Sequence, residues 1–345
     1  GASLLLTYGT SIHALLDRGN IKEGDVMLVL GAAGGVGISA IELGVAFGAR
    51  IQHARALGRC GGSTSDIADA IVWASGGSVS GVPANATPVH IINMSLGGNG
   101  SCSSTFQNAI NSAAGRGTTV VVAAGNLNIN AANYQPASCA NTITVGANDA
   151  NGGRASFSNY GRAVDIAAPG VDVLSTRNTG TQAQGAETYN YSSGTSMAAP
   201  HVAGVAALVQ SRRFALGLPR YAPTELETVL KSTARPFPTT PSQAIGAGIV
   251  NPNAAVTEAE PKPAKIYSFY CSGQGSGYCE VTATGTATIT IQWTGGFGTG
   301  RNDSVFLSVC GTYVNVPLLI TATVSNAYGS ESRSTTVTCN GGPEP

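Results

Sequence analysis

The spacing of apolar and polar positions changes twice along the chain. Short, continuous apolar runs fill the stretch from about residue 44 to 257. Val89-His90-Ile91-Ile92-Asn93-Met94 is one run and ends at Ser95-Leu96-Gly97-Gly98. Val120-Val121-Val122-Ala123-Ala124 is another and ends at Gly125-Asn126. Runs of this length without alternation fit strands covered on both faces. Between them, Ser104 to Gly115 predicts an amphipathic helix. Strand, helix and strand at this spacing predict a right-handed βαβ unit of a parallel sheet. Met197 to about Gln210 is apolar on nearly every side and predicts a buried helix. Nearer the start, Tyr8 to Leu16 and Ile38 to Phe47 predict helices, and Val26–Leu30 and Gly48–Ile51 predict strands. A charged, Pro-rich linker, residues 258–265, follows the apolar stretch. Beyond it the period becomes two, over Thr286–Trp293, Ser304–Val309 and Ile320–Val324, with turns at Gly295-Gly296 and Asn326–Gly329. That pattern predicts a small all-β sandwich over residues 266–342. The fold class expected is therefore α/β, a parallel sheet flanked by helices, followed by a β-sandwich.

Composition removes several function classes. The chain has 345 residues, with Lys+Arg and Asp+Glu both 18, and only 10% are charged. No basic stripe suits nucleic acid and no basic amphipathic helix suits a lipid surface. No apolar run approaches the roughly 20 residues that span a bilayer. A monomer with neither nucleic acid nor membrane as partner is expected. Abundant Gly, 46 residues, suits tight loops in an exported enzyme. The chain begins at Gly1 without a leader, which reads as a processed product or fragment. Seven cysteines without a C-x-x-C pair, and four scattered histidines, argue against zinc and for disulfides. A Cys102–Cys139 bridge would close a long loop and contribute roughly 3–4 kcal/mol by chain entropy. Cys271–Cys279 and Cys310–Cys339 are the preferred pairs of the C-terminal part, and Cys60 is left over.

The chemistry concentrates at Gly194-Thr195-Ser196-Met197-Ala198-Ala199-Pro200-His201. Ser196 falls at the start of the predicted helix, where backbone N–H groups and the helix dipole favour negative charge on a reacting oxygen. Pro200 is expected to be tolerated because first-turn N–H groups have no intrahelical partner. A helix-capping serine is the plainer reading of such a position. Eight consecutive residues of this kind resemble the serine motif of the subtilases, the subtilisin and proteinase K-like serine peptidases. The resemblance extends from about residue 44 to 257 and implies a peptide or protein substrate and an extracellular setting. It implies Ser196 as nucleophile and Asn126 as a donor to the oxyanion. It also implies that Ser95, Leu96 and Gly97 pair with substrate backbone as an added strand. Ala123, Ala124 and Gly125 would line the pocket for the substrate's P1 side chain, and Gly61 and Gly62 would form the opposite binding strand. Phe157–Gly161 and Val164–Gly170 match the family too. In its proteinase K-like branch an Asp at this place holds calcium, which maps to the Asp165 carboxylate with the carbonyls of Ala140 and Thr142.

A subtilase also needs a base to take the serine proton and an Asp to orient that base. The family's D-[ST]-G and H-G-T-H patterns are absent from this chain. His13, His53, His90 and His201 stand in none of these patterns, so hydrolysis is expected to be severely impaired. Residues 3 to about 50 resemble a different family, the nucleotide-binding part of medium-chain quinone oxidoreductases. The resemblance rests on the strand Val26–Leu30, the turn Gly31-Ala32-Ala33-Gly34-Gly35-Val36-Gly37 and the helix after it. Gly31, Gly34, Gly35 and Gly37 are its cofactor-binding candidates. No acidic residue follows the next strand, and the other strands of a dinucleotide fold are missing, so NADPH is not expected. A chimera is the hypothesis that accounts for both resemblances. A non-catalytic peptide-binding protein and an NADPH-binding fragment are the alternatives.

Overall fold

The computed structural model describes residues 25–30, 49–58, 61–179, 185–273, 278–285, 289–295, 305–307 and 317–339. It divides into two compact units, residues 1–260 and 261–345. In chain order the first unit contributes β1 (Asp25–Leu30), β2 (Ala49–Ala54), α1 (Thr64–Ala74), β3 (Ile91–Met94), β4 (Gly98–Asn99), α2 (Ser104–Gly115) and β5 (Thr119–Ala123). Then come β6 (Tyr134–Gln135), β7 (Thr142–Asn148), β8 (Ile166–Pro169), β9 (Val173–Asn178) and β10 (Glu187–Ser192). Three helices complete the unit, α3 (Thr195–Ala215), α4 (Pro223–Ser232) and α5 (Pro252–Glu258).

Six strands form one parallel sheet in the order β2-β1-β3-β5-β7-β8. The central strands are largely apolar because both faces are covered, with Asn93 of β3 and Thr119 of β5 as buried polar exceptions. Ile92, Met94, Val120 and Val122 pack towards α1 and α2, while Ile91, Val121, Ala123, Ile143 and Val145 pack towards α3, α4 and α5. Ser63 and Ser103 start α1 and α2 by accepting the N–H of Asp66 and Phe106 at 3.1 and 3.4 Å. The strand ends β3 and β5 therefore open at one edge of the sheet, beside the start of α3, where sites of open α/β sheets form.

The N-terminal segment takes a place other than the one its nucleotide-binding resemblance implies. β1 lies between β2 and β3, with Leu30 level with Met94. It is a strand of the same sheet that carries the candidate site, so the described part of this segment does not form a separate unit. The glycine turn 31–37 and the helices expected over Tyr8–Leu16 and Ile38–Phe47 lie outside the described residues. Among the described residues no helix is long and apolar enough to cross a membrane.

The second unit contains β11 (Lys265–Ser272), β12 (Tyr278–Thr284), β13 (Thr290–Thr294), β14 (Val305–Leu307), β15 (Pro317–Asn326) and β16 (Gly329–Thr338). They make two antiparallel three-stranded sheets, β11-β12-β14 and β13-β15-β16. Ile266 and Val281 from the first share a core with Ala322 and Val324 from the second. Cys271–Cys279 forms as expected and cross-links opposed positions of β11 and β12. Cys339 is also disulfide-bonded, while Cys310 lies outside the described residues. One face of β11 and β12 presents exposed Tyr270 and Tyr278, ring centroids 6.1 Å apart, an aromatic pair that the alternation pattern did not reveal.

Candidate active site

α3 starts at Thr195, so Ser196 is its second residue, in the first turn. The Ser196 hydroxyl donates to the Ser95 carbonyl at 3.3 Å, just past the end of β3. The reciprocal contact explains how Pro200 is accommodated. Pro200 is the sixth residue of α3 and lies beyond the first turn. Its missing N–H would have bonded the Ser196 carbonyl, four residues back. Ser95 Oγ donates to that carbonyl instead, at 2.9 Å. The expectation that Pro200 sits among the first-turn orphans is thus corrected: a neighbouring strand supplies the lost hydrogen bond. Ser95 Oγ is itself held by Asn93 Nδ2 at 3.0 Å, and Asn93 is fully buried. Ser196 is tied to Ser95 through both its hydroxyl and its carbonyl.

Asn126 follows β5 and Gly125. Its Oδ1 accepts the Thr195 N–H at 2.8 Å and the Thr195 hydroxyl at 2.9 Å. Thr195 Oγ1 in turn accepts the Gly125 N–H at 3.0 Å. With Oδ1 committed, the amide nitrogen faces the other way, towards Gly194. A Cβ at Gly194 would stand 3.2 Å from Asn126 Nδ2. Asn159, fully buried, fixes the same loop: its Nδ2 donates to the Ala124 carbonyl, and its Oδ1 accepts the N–H groups of Leu127 and Ile129. Thr195 and Asn159 were not singled out from sequence. Thr195 belongs to the serine motif and Asn159 to a quoted matching segment, but only their long-range partners reveal their work.

The structure brings Ser95, Ser196 and Asn126 together at the sheet edge. Ala123 and Ala124 are buried just before them. Gly125 has φ +102°, a conformation that needs glycine, and a side chain there would also meet Asn159 and Tyr134. Gly61 takes a different part. Its N–H and carbonyl both bond Gly58, at 3.3 and 2.9 Å, closing a tight turn ahead of α1. Cys60, within that turn, lies outside the described residues.

His201 Nδ1 bonds the Met197 carbonyl at 2.8 Å, and burial lowers its pKa below the ordinary imidazole value. His53 is exposed on β2, level with Val29 of β1. His90 precedes β3, where its carbonyl accepts the Thr119 N–H at 2.9 Å. His13 lies outside the described residues.

The calcium expectation does not fit the donor set. Asp165 Oδ1 accepts from the Lys231 ammonium at 3.0 Å, and Oδ2 accepts the Thr144 N–H at 2.8 Å. Lys231 also pairs with Glu227, one helical turn away on α4, at 3.0 Å. Burial pushes the Asp165 carboxyl up, while the Thr144 N–H and Lys231 pull it down. Partial burial works against the Lys231 ammonium, but Glu227 and Asp165 raise its pKa overall. A cation at Asp165 would have to displace this ammonium. The Ala140 carbonyl, the second expected ligand, accepts from Gln107 Nε2 at 3.1 Å. Thr142, the third, opens β7. Among the described residues no group of three His, Cys, Asp or Glu could hold a metal ion.

This arrangement of strand ends, serine helix and locked asparagine can be compared with known proteins. The family model described as "Subtilase family" matches residues 27–248, beginning inside β1. The chain belongs to the subtilase family. An extracellular protease of Xanthomonas campestris pv. campestris is 58% identical over 216 residues, 63% of this chain and 37% of that protein. An extracellular basic protease of Dichelobacter nodosus is 44% identical over 236 residues, 66% of this chain and 38% of that protein. The chain thus spans less than two fifths of the length of these two curated relatives. Among solved structures, a protease of Pseudoalteromonas arctica PAMC 21717 superposes with TM-score 0.65 at 40% identity, covering 73% of this chain and 94% of that one. The subtilase match gives the α/β sheet its fold name, subtilisin-like. It starts within the segment that resembles a quinone oxidoreductase, and nothing in these likenesses supports that second family.

Proposed function

We propose that this subtilase chain is an exported serine peptidase of low activity, with Ser196 as nucleophile. The observation that carries the reading is the double hydrogen bond from Thr195 to Asn126 Oδ1, which turns Nδ2 towards the Ser196 turn. A peptide would lie along Ser95, Leu96 and Gly97 as an added strand. Ser196 Oγ would attack its carbonyl carbon. The oxygen that gains charge would meet Asn126 Nδ2 and the first-turn N–H of Ser196, donors held in place before the reaction. The weak part is the proton. Ser196 Oγ donates to the Ser95 carbonyl, which cannot take the proton away. If no base and orienting acid act on Ser196, oxyanion binding and positioning would leave about 10³–10⁴-fold over water, the residual found in subtilisin itself. The names of the relatives support an extracellular setting, as does the Cys102–Cys139 disulfide.

The chimera hypothesis rests on the sequence resemblance of residues 3 to about 50 alone, because the subtilase match already begins at residue 27, inside β1.

Labelling with a fluorophosphonate tests the reading. Slow labelling that disappears in Ser196→Ala is expected. No labelling, combined with retained peptide binding, would favour a binding module. Labelling as fast as in an intact subtilase would show that a base acts on Ser196 after all.

A further inference from the structure

We infer that Tyr134 fills the pocket for the P1 side chain, so that this site accepts only small residues there. The inference rests on the peptidase reading above and names its substrate class. Two glycines mark the walls of the slot, Gly97 at the end of the substrate-pairing segment and Gly125 immediately before Asn126. A Cβ on Gly97 would stand 2.5 Å from Tyr134 Cε1 and 2.7 Å from the Gln135 carbonyl. A Cβ on Gly125 would stand 2.8 Å from both Tyr134 Cδ1 and Cε1. The two glycines therefore face the same edge of the same ring, which lies between them. Bare backbone on two sides makes a flat slot, and the phenol ring already occupies it.

The ribbon that carries the ring is held in place. Tyr134 sits on β6, which pairs with β4 through Asn99↔Tyr134 and Gly98↔Gln135. The Gly100 N–H bonds the Asn133 carbonyl, and the Ser138 N–H bonds the Tyr134 carbonyl, both at 2.9 Å. Cys102–Cys139 then ties the chain after β4 to the chain after β6. Tyr134 is half-buried, and burial raises its phenol pKa, in keeping with a ring enclosed by walls. A Phe or Leu at P1 would have to overlap the ring or move the ribbon. An Ala, Gly or Ser would rest its short side chain against the ring edge.

Peptide boronic acids test this with the full chain, because they need the nucleophile but no turnover. Boron accepts a lone pair of Ser196 Oγ, the B–O bond forms, and the hydroxyl proton leaves to solvent. Two otherwise identical tetrapeptide boronates are compared, one with an alanine and one with a phenylalanine side chain at P1. The wild-type chain is expected to bind the alanine analogue at least about tenfold more tightly. Tyr134→Ala is expected to reduce that ratio by about tenfold or more, and Tyr134→Phe to preserve it, since the ring and not the hydroxyl fills the slot. Equal binding of both analogues by the wild type, preference for phenylalanine, or an unchanged ratio in Tyr134→Ala overturns the inference while leaving the peptidase reading intact. Absence of Ser196-dependent binding of either analogue overturns both. The wild-type ratio and Tyr134→Phe stand even if Tyr134→Ala fails to fold.

Discussion

At the scale of single residues, Ser95 has more to do than its place on a substrate-binding edge suggests. Its hydroxyl satisfies the Ser196 carbonyl that Pro200 leaves without an intrahelical bond, and it takes the Asn93 amide. Ser95→Ala strands both groups at a half-buried position. The expected loss is about 1–3 kcal/mol of stability. Thermal unfolding reads it, at about 2–4 °C for each kcal/mol in a unit of this size. An unchanged melting temperature would mean that water replaces the hydroxyl without penalty. Ser196 and Asn126 were legible because each sits in a contiguous motif at a strand or helix end. Thr195, Asn159 and Tyr134 were not, since most of their partners lie 30 to 70 positions away along the chain, such as Gly125 for Thr195. A linear pattern carries no record of such partners.

At the scale of elements, β3, β5 and α2 match what their apolar spacing predicts, because burial on both faces or on one stripe dictates that spacing. α1, α4 and α5 were not predicted. They are short, seven to eleven residues, and bury only a few side chains each, so their periodicity is faint. The β9–β10 hairpin escaped notice for a related reason: Tyr189 and Tyr191 are exposed, which erases the inward-outward contrast. α4 acts on the sheet through charge, with Lys231 seated where the family resemblance implies calcium. Lys231→Met should leave the Asp165 carboxylate with the Thr144 N–H alone. Lys231 is 37% exposed, so the loss lies between that of a surface pair and a buried one, about 1–2 kcal/mol. Calorimetry reads this as a lower melting temperature, with a chelator leaving the wild-type value unchanged. A calcium-dependent rise in wild-type melting, abolished by Asp165→Asn, would contradict this account.

At the scale of the whole molecule, the chain has separate cores on either side of Glu260. Arg212 of α3 pairs with Glu260 at 2.9 Å, so the last contact of the first unit falls at its boundary. A chain ending at Glu260 keeps that pair and the whole sheet. It is expected to retain Ser196-dependent fluorophosphonate labelling within about twofold of the full chain, a bound set by the usual small effect of changes remote from a site. A large drop would show that residues 261–345 support the site. The order of the strands in the sheet depends on long-range pairing, which no apolar pattern records. One consequence follows from the Cys102–Cys139 link. It fastens the ribbon that carries Tyr134, and thiols stay reduced in cytosol but are oxidised outside it. If the chain is exported as proposed, the ribbon would be held by its β4–β6 pairing alone before the disulfide forms and be cross-linked afterwards. On the proposed function, which peptides the cleft admits would then be a trait acquired in transit, set by the compartment as well as by the chain.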